Sequence, residues 1–207
     1  GYCLNVNGKD KQYCVYENGR LIRVVMELNG NEMIEFDDNG KRRYVGGFEG
    51  DMKNGFKRNG RGYCFDENEV MKQYCLFENG EMKEVLQEFD GSTMKEHNEN
   101  GIVIYEGGFK GDMKSGFMRE GKGKEYLVSK SSGTELTTDP KETLILIGSW
   151  ENGKKNGVFF EVDVNGTVKR KLMYVNDEMK RVAIEFRGTT MIEFGEIGKR
   201  EYEGEFK

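Results

Sequence analysis

The chain has 207 residues, 36% hydrophobic and 33% charged, with 29 glycines against a single proline. So much glycine without a collagen-like triplet, in a chain that is 12% aromatic, points to many tight turns and excludes general disorder. A net charge of −5 supplies no overall attraction for nucleic acid, and no apolar run approaches the ~18 residues of a membrane-spanning helix.

Read in order, the chain repeats itself. Gly1-Tyr2-Cys3 returns as Gly62-Tyr63-Cys64, and Gln12-Tyr13-Cys14 as Gln73-Tyr74-Cys75. Tyr44 to Gly62, YVGGFEGDMKNGFKRNGRG, returns as Tyr105 to Gly123, YEGGFKGDMKSGFMREGKG. About half of the positions aligned in this way are identical, so a long unit has been duplicated. A third copy brings back Met33-Ile34-Glu35-Phe36 as Met191-Ile192-Glu193-Phe194, and Tyr44, Gly46 and Phe48 as Tyr202, Gly204 and Phe206. The expected organisation is a single array over 1–207, with long units at about 1–61, 62–122 and 159–207. An insertion at about 124–158 holds a polar loop, 129–143, and one extra short unit, Leu146 to Gly153.

Within each unit, apolar alternation of period two is broken by Asn-Gly or Asp-Gly pairs, the pattern of β-hairpins with type I′ turns. These pairs are Asn18-Gly19, Asn29-Gly30, Asn39-Gly40, Asn79-Gly80, Asp90-Gly91, Asn100-Gly101 and Asn165-Gly166. No helical period stands out, so the spacing predicts an antiparallel meander almost from end to end. Tyr44, Gly46 and Phe48 share one face of their strand by alternation. The glycine leaves room for a ring from the next hairpin, which makes the triplet the packing unit between repeats. The ring positions expected to be buried are Tyr44, Phe48, Tyr105, Phe109, Trp150, Tyr202 and Phe206.

Tyr-x-Gly-x-Phe, followed by Gly, by Gly-x-Gly and by a further hairpin, resembles the MORN (membrane occupation and recognition nexus) repeat. The matches are Tyr44 to Gly62, Tyr105 to Gly123, Leu146 to Gly157 and Tyr202 to Phe206, with looser Asn-Gly hairpins between them. The resemblance implies an all-β fold, an elongated single-layer antiparallel β-hairpin array. It implies work as a non-enzymatic scaffold or self-associating module, as a phospholipid-binding surface, or as a regulatory repeat beside an enzyme. A cytoplasmic location, at a membrane or the cytoskeleton, goes with it. Two departures stand out: clear units here follow every 61 residues where MORN repeats follow every ~23, and only Trp150 supplies tryptophan at the last aromatic position. Gly1 falls in mid-motif and Lys207 stops just after Phe206, so the chain reads as a window of a longer array.

Residues for catalysis are scarce. Gly116 to Lys122 imitates G-x-x-x-x-G-K, but Gly123 stands where a phosphate loop needs Ser or Thr. His97 is the one histidine, which leaves no triad or three-histidine metal site within the chain. Cys3/Cys14 and Cys64/Cys75 are two copies of one pair, expected to lie directly opposed and reduced. Of the basic clusters, Lys41-Arg42-Arg43 and Lys199-Arg200 are the candidates for contact with lipid phosphates, although lysines on exposed strands also block edge aggregation. No catalytic residue, cofactor, metal, nucleic acid or small-molecule substrate is expected. The expected partner is a protein, with a phospholipid membrane as the alternative.

Overall fold

The computed structural model describes residues 2–4, 11–127 and 143–206, and side chains in the last two ranges. The loop expected at 129–143 therefore lies almost wholly outside the described residues. Every regular element among the described residues is a β-strand. The chain divides into two compact units, one made of 1–90 with 97–101 and the other of 91–96 with 102–207.

The first unit contains β1 (Tyr2–Leu4), β2 (Lys11–Glu17), β3 (Arg20–Asn29), β4 (Glu32–Phe36), β5 (Arg42–Asp51), β6 (Gly55–Phe65), β7 (Met71–Glu78) and β8 (Glu81–Asp90). Each pairs antiparallel with the next. β9 (Thr93–His97) runs into the second unit, which continues with β10 (Val103–Asp112), β11 (Gly116–Leu127), β12 (Leu144–Glu151) and the short β13 (Lys154–Lys155). It ends with β14 (Gly157–Asp163), β15 (Val168–Val175), β16 (Glu178–Arg187), β17 (Thr190–Phe194) and β18 (Arg200–Glu205). The all-β, single-layer antiparallel hairpin array expected from the repeat is thus the architecture within each unit.

The hairpins do not all use one turn. Asn18-Gly19 and Asn79-Gly80 have positive φ at both residues, the type I′ form, as do Asn152-Gly153 and Asn176-Asp177. At Asn29-Gly30 only the glycine is positive, and Asn29 pairs with Glu32. The loop there is Gly30-Asn31, a form with glycine first. At Asn39-Gly40, Asn100-Gly101 and Asn165-Gly166 the glycine alone is again positive. Here it closes a longer loop in which Asp37, Asn98 or Asp163 accepts backbone N–H groups through its side chain. Asp66 builds the same loop over Glu69, which holds a positive φ without being glycine. The expectation of type I′ at every Asn-Gly pair is corrected by the strand register, which fixes the number of residues left to turn.

Most of the core lies on one face, although Val45 and Val162, which alternate with buried Tyr44 and Glu161, are buried as well. Tyr44 is opposite Cys64, and Gly46 is opposite Gly62. A Cβ on Gly62 would sit 2.3 Å from a Tyr44 ring carbon, and one on Gly46 would sit 2.4 Å from the Gly62 Cα. Tyr44 therefore lies across a glycine pair, and its hydroxyl donates to the Gly47 carbonyl at 2.7 Å. Tyr105 repeats this over Gly107 and Gly123, donating to Gly108 at 2.8 Å. The ring over the glycine was expected from the next hairpin, but in these two cases it comes from the same strand. At Gly148 the expectation holds, since the Phe159 ring covers it.

Candidate functional site

The buried face consists of a repeated cluster. In the first unit the Arg58 guanidinium lies 4.6 Å from the centre of the Tyr44 ring and 5.4 Å from that of Phe77, and donates to Glu35 at 2.5 Å and 3.0 Å. Phe77 meets the Tyr44 ring edge-on at 5.3 Å. In the second unit Arg119 lies 4.5 Å over Tyr105 and donates to Glu96 and Glu125, and Trp150 takes the position of Phe77 at 5.1 Å. Lys155 joins the same set by donating to Glu125 at 2.6 Å. Phe159 packs on Trp150 and Tyr174, and buried Glu161 accepts Arg170 through both oxygens at 2.8 and 2.5 Å. Burial raises the Tyr44 hydroxyl well above its usual range and pushes Tyr105 up to about 12, so both stay neutral donors. Every acid and base named here is consumed in pairing, which leaves this face suited to holding strands together rather than to proton transfer.

The expected ring positions divide accordingly. Tyr44, Tyr105 and Trp150 are buried, while Phe48 and Phe109 are half-buried and pack edge-on against Phe56 and Phe117. Tyr202 and Phe206 are corrected: they are 45% and 44% exposed. They lie on or just after β18, the last described strand, where nothing equivalent to Arg58 and Phe77 covers Tyr202 among the described residues. The arginine and glutamates of each cluster, and Phe77 in the first, were missed from sequence, whereas Trp150 in the second was among the expected rings. Their signal was present, because Glu35, Tyr44 and Arg58 recur together as Glu96, Tyr105 and Arg119.

The basic candidates do not form a bare stripe. Lys41 donates to the Glu67 carbonyl, Arg42 pairs with Glu69, Arg43 with Asp37 and Arg200 with Glu203, while Lys199 is exposed. The cysteines also depart from expectation. Cys64 is opposite Gln73 and Cys75 opposite Gly62, while Cys3 is opposite Gln12, so neither pair is directly opposed. Cys64 and Cys75 meet on the diagonal as free thiols. A hydrogen bond from Cys75, helped by Arg58, lowers Cys64 to about 7, and the same bond raises Cys75. Gly116 to Lys122 lies within the strand β11, not in a phosphate-cradling loop.

Two clefts open in the first unit. One of about 640 Å³ is lined by Leu28, Phe48, Met52 and Phe56, with Lys11 and Lys53 at its polar side. The other, about 530 Å³, is lined by Val85, Glu88 and His97. His97 Nε2 stands 3.9 Å from Glu88 and its Nδ1 has no partner. No group of three metal-ligating side chains occurs among the described residues.

The opposite face carries one of the exposed apolar patches of the second unit. Ile147 on β12 is directly opposite Phe160 on β14, and Val158 is opposite Met173 on β15. Ile147, Val158 and Phe160 are 37%, 39% and 41% exposed, whereas Leu146 and Phe159 beside them are buried. These two pairs, joined through Phe160 and Val158 on one strand, form a ladder of apolar side chains on a sheet face.

Comparison with known proteins adds little. No family model matches, and no curated protein matches. A solved alternansucrase in complex with isomaltononaose is similar over 97% of this chain and 15% of its own, at 15% identity and a TM-score of 0.27. The chain thus spans a small part of that protein, and a likeness of this degree carries no argument about function.

Proposed function

We propose that the chain is a non-enzymatic interaction module, a MORN-like β-hairpin array that offers one sheet face to a protein partner or to a second copy of itself. The observation that carries this reading is the ladder Ile147–Phe160 beside Val158–Met173. Contiguous apolar side chains on an exposed face mark association surfaces. The opposite face supports the same reading, since its rings and charges are already used in holding the strands together. A regulatory repeat beside an enzyme domain would use this face in the same way. The peripheral-membrane alternative draws less support, because four of the five basic candidates are engaged within their own part of the fold.

The test is site-directed photocrosslinking in the source cells, with p-benzoylphenylalanine in place of Phe160 and, as control, of Met82, which is 51% exposed in the first unit. Discrete protein adducts at 160 and none at 82 are the expected result. No adduct at 160, or the same smear at both positions, would overturn the reading. Salt-sensitive pelleting with phosphatidylserine vesicles would favour the membrane alternative instead.

A further inference from the structure

We infer that the partner segment taken by this face is acidic and amphipathic, with large apolar side chains bordered by carboxylates. The inference rests on the reading that the face associates with protein, and it adds the chemistry of the occupant.

Four cations border the ladder. Lys124 is directly opposite Ile147, and Lys171 is directly opposite Phe160, so one row across four strands reads Lys, Ile, Phe, Lys. In the next row Arg181 is opposite Met173, and Lys122 lies two residues from Lys124 on the same face of β11. Among the described residues, none of these four makes an ion pair. Glu106 lies opposite Lys124 on the next strand, but it accepts the Tyr126 hydroxyl at 3.2 Å and has Lys95 at 3.9 Å.

The contrast with the other face of the same strands decides the matter. There Arg119, Lys155 and Arg170 are each held by a glutamate at 2.8 Å or closer. Cations that need intramolecular partners have them, and the four around the ladder do not. In a chain of net charge −5 this is a local reversal of sign. An apolar strip with a positive rim complements apolar anchors flanked by carboxylates, and such rims steer association and select partners. It complements a bilayer less well. Ile147, Val158 and Phe160 are each more than half covered by their neighbours, so they do not project far enough to enter acyl chains.

The experiment uses the 207-residue chain, fluorescence anisotropy and a short labelled peptide with a Leu- and Phe-containing centre flanked at both ends by Asp. A peptide with Lys in place of Asp is the control. The acidic peptide should bind and the basic one should not, and added salt should weaken the binding. The double variant Lys124→Glu/Lys171→Glu should weaken it about ten-fold or more, and Lys124→Gln/Lys171→Gln by less, with unchanged melting temperatures. Equal binding of both peptides, or no effect of the Glu variant, would overturn the inference. So would recruitment of phosphatidylserine vesicles, lost in the same variants, without peptide binding. If adducts still form at 160 while the acidic peptide fails, the association reading stands and its charge chemistry falls. Loss of both signals removes both.

Discussion

Tyr44 carries several demands at once, since its ring needs two glycines beneath it, an arginine above it and a carbonyl for its hydroxyl. Gly62 is the least replaceable of these, because a methyl group there would stand 2.3 Å from the ring. Gly62→Ala should therefore cost at least about 2 kcal/mol by forced displacement of the ring. Urea unfolding measures this, and a loss below about 0.5 kcal/mol would mean that the tyrosine moves aside freely. Cys64 provides a second test at this scale. Because its thiolate accepts a hydrogen bond from the Cys75 thiol and faces Arg58, alkylation of Cys64 should become half-maximal near pH 7 rather than near the usual 9. Cys75 should remain protected, and Arg58→Gln should move the Cys64 midpoint upward. Mass spectrometry after iodoacetamide treatment reads both residues.

At the scale of the element, the recurring device is the loop closed by an acidic or amide side chain. Asp37 and Asp66 accept backbone N–H groups, chiefly those of Lys41 and Val70, which hold both carboxyls below the ordinary 3.8. Asp163 is lowered as well, first by Lys169 and then by the Thr167 N–H. A carboxyl whose folded value is depressed adds stability above its unfolded value, and that stability disappears as pH falls through the folded value. The melting temperature should thus be steady above about pH 5 and fall increasingly below about pH 4. Asn98 closes the same loop without a titrating group. Asp66→Asn should accordingly keep the turn and flatten part of the acid decline. An unchanged acid profile would show that this carboxylate adds nothing to the folded state.

At the largest scale, that of a whole unit, the sheet of the second unit has two unlike faces, and neighbouring residues on β14 should report on each. Phe159 is fully buried against Trp150 and Tyr174, while Phe160 is 41% exposed on the other side. Phe159→Ala should cost about 3–5 kcal/mol, and Phe160→Ala about 1 kcal/mol or less. Thermal unfolding of the two variants tests this. Equal losses would mean that both faces are covered in the free chain and would remove the surface on which the proposed association depends.

The repeat, the strand class and the core tyrosines were legible in the sequence for one reason. A duplicated unit prints its own alignment, and glycine two residues from an aromatic has few explanations other than close packing. Local chemistry also sufficed for the two-residue turns at Asn18-Gly19 and Asn79-Gly80. The remaining turns depended on register, which is settled by pairing along whole strands, so Asp66 to Val70 closes a hairpin without any Asn-Gly pair. Arg58 reaches Glu35 across 23 residues of chain, a contact that only the lateral order of β4, β5 and β6 creates. The same holds for the apolar ladder. Ile147 and Phe160 alternate with buried neighbours in the sequence, but which of the two sides becomes core is decided by where the rings of Trp150, Phe159 and Tyr174 can pack together.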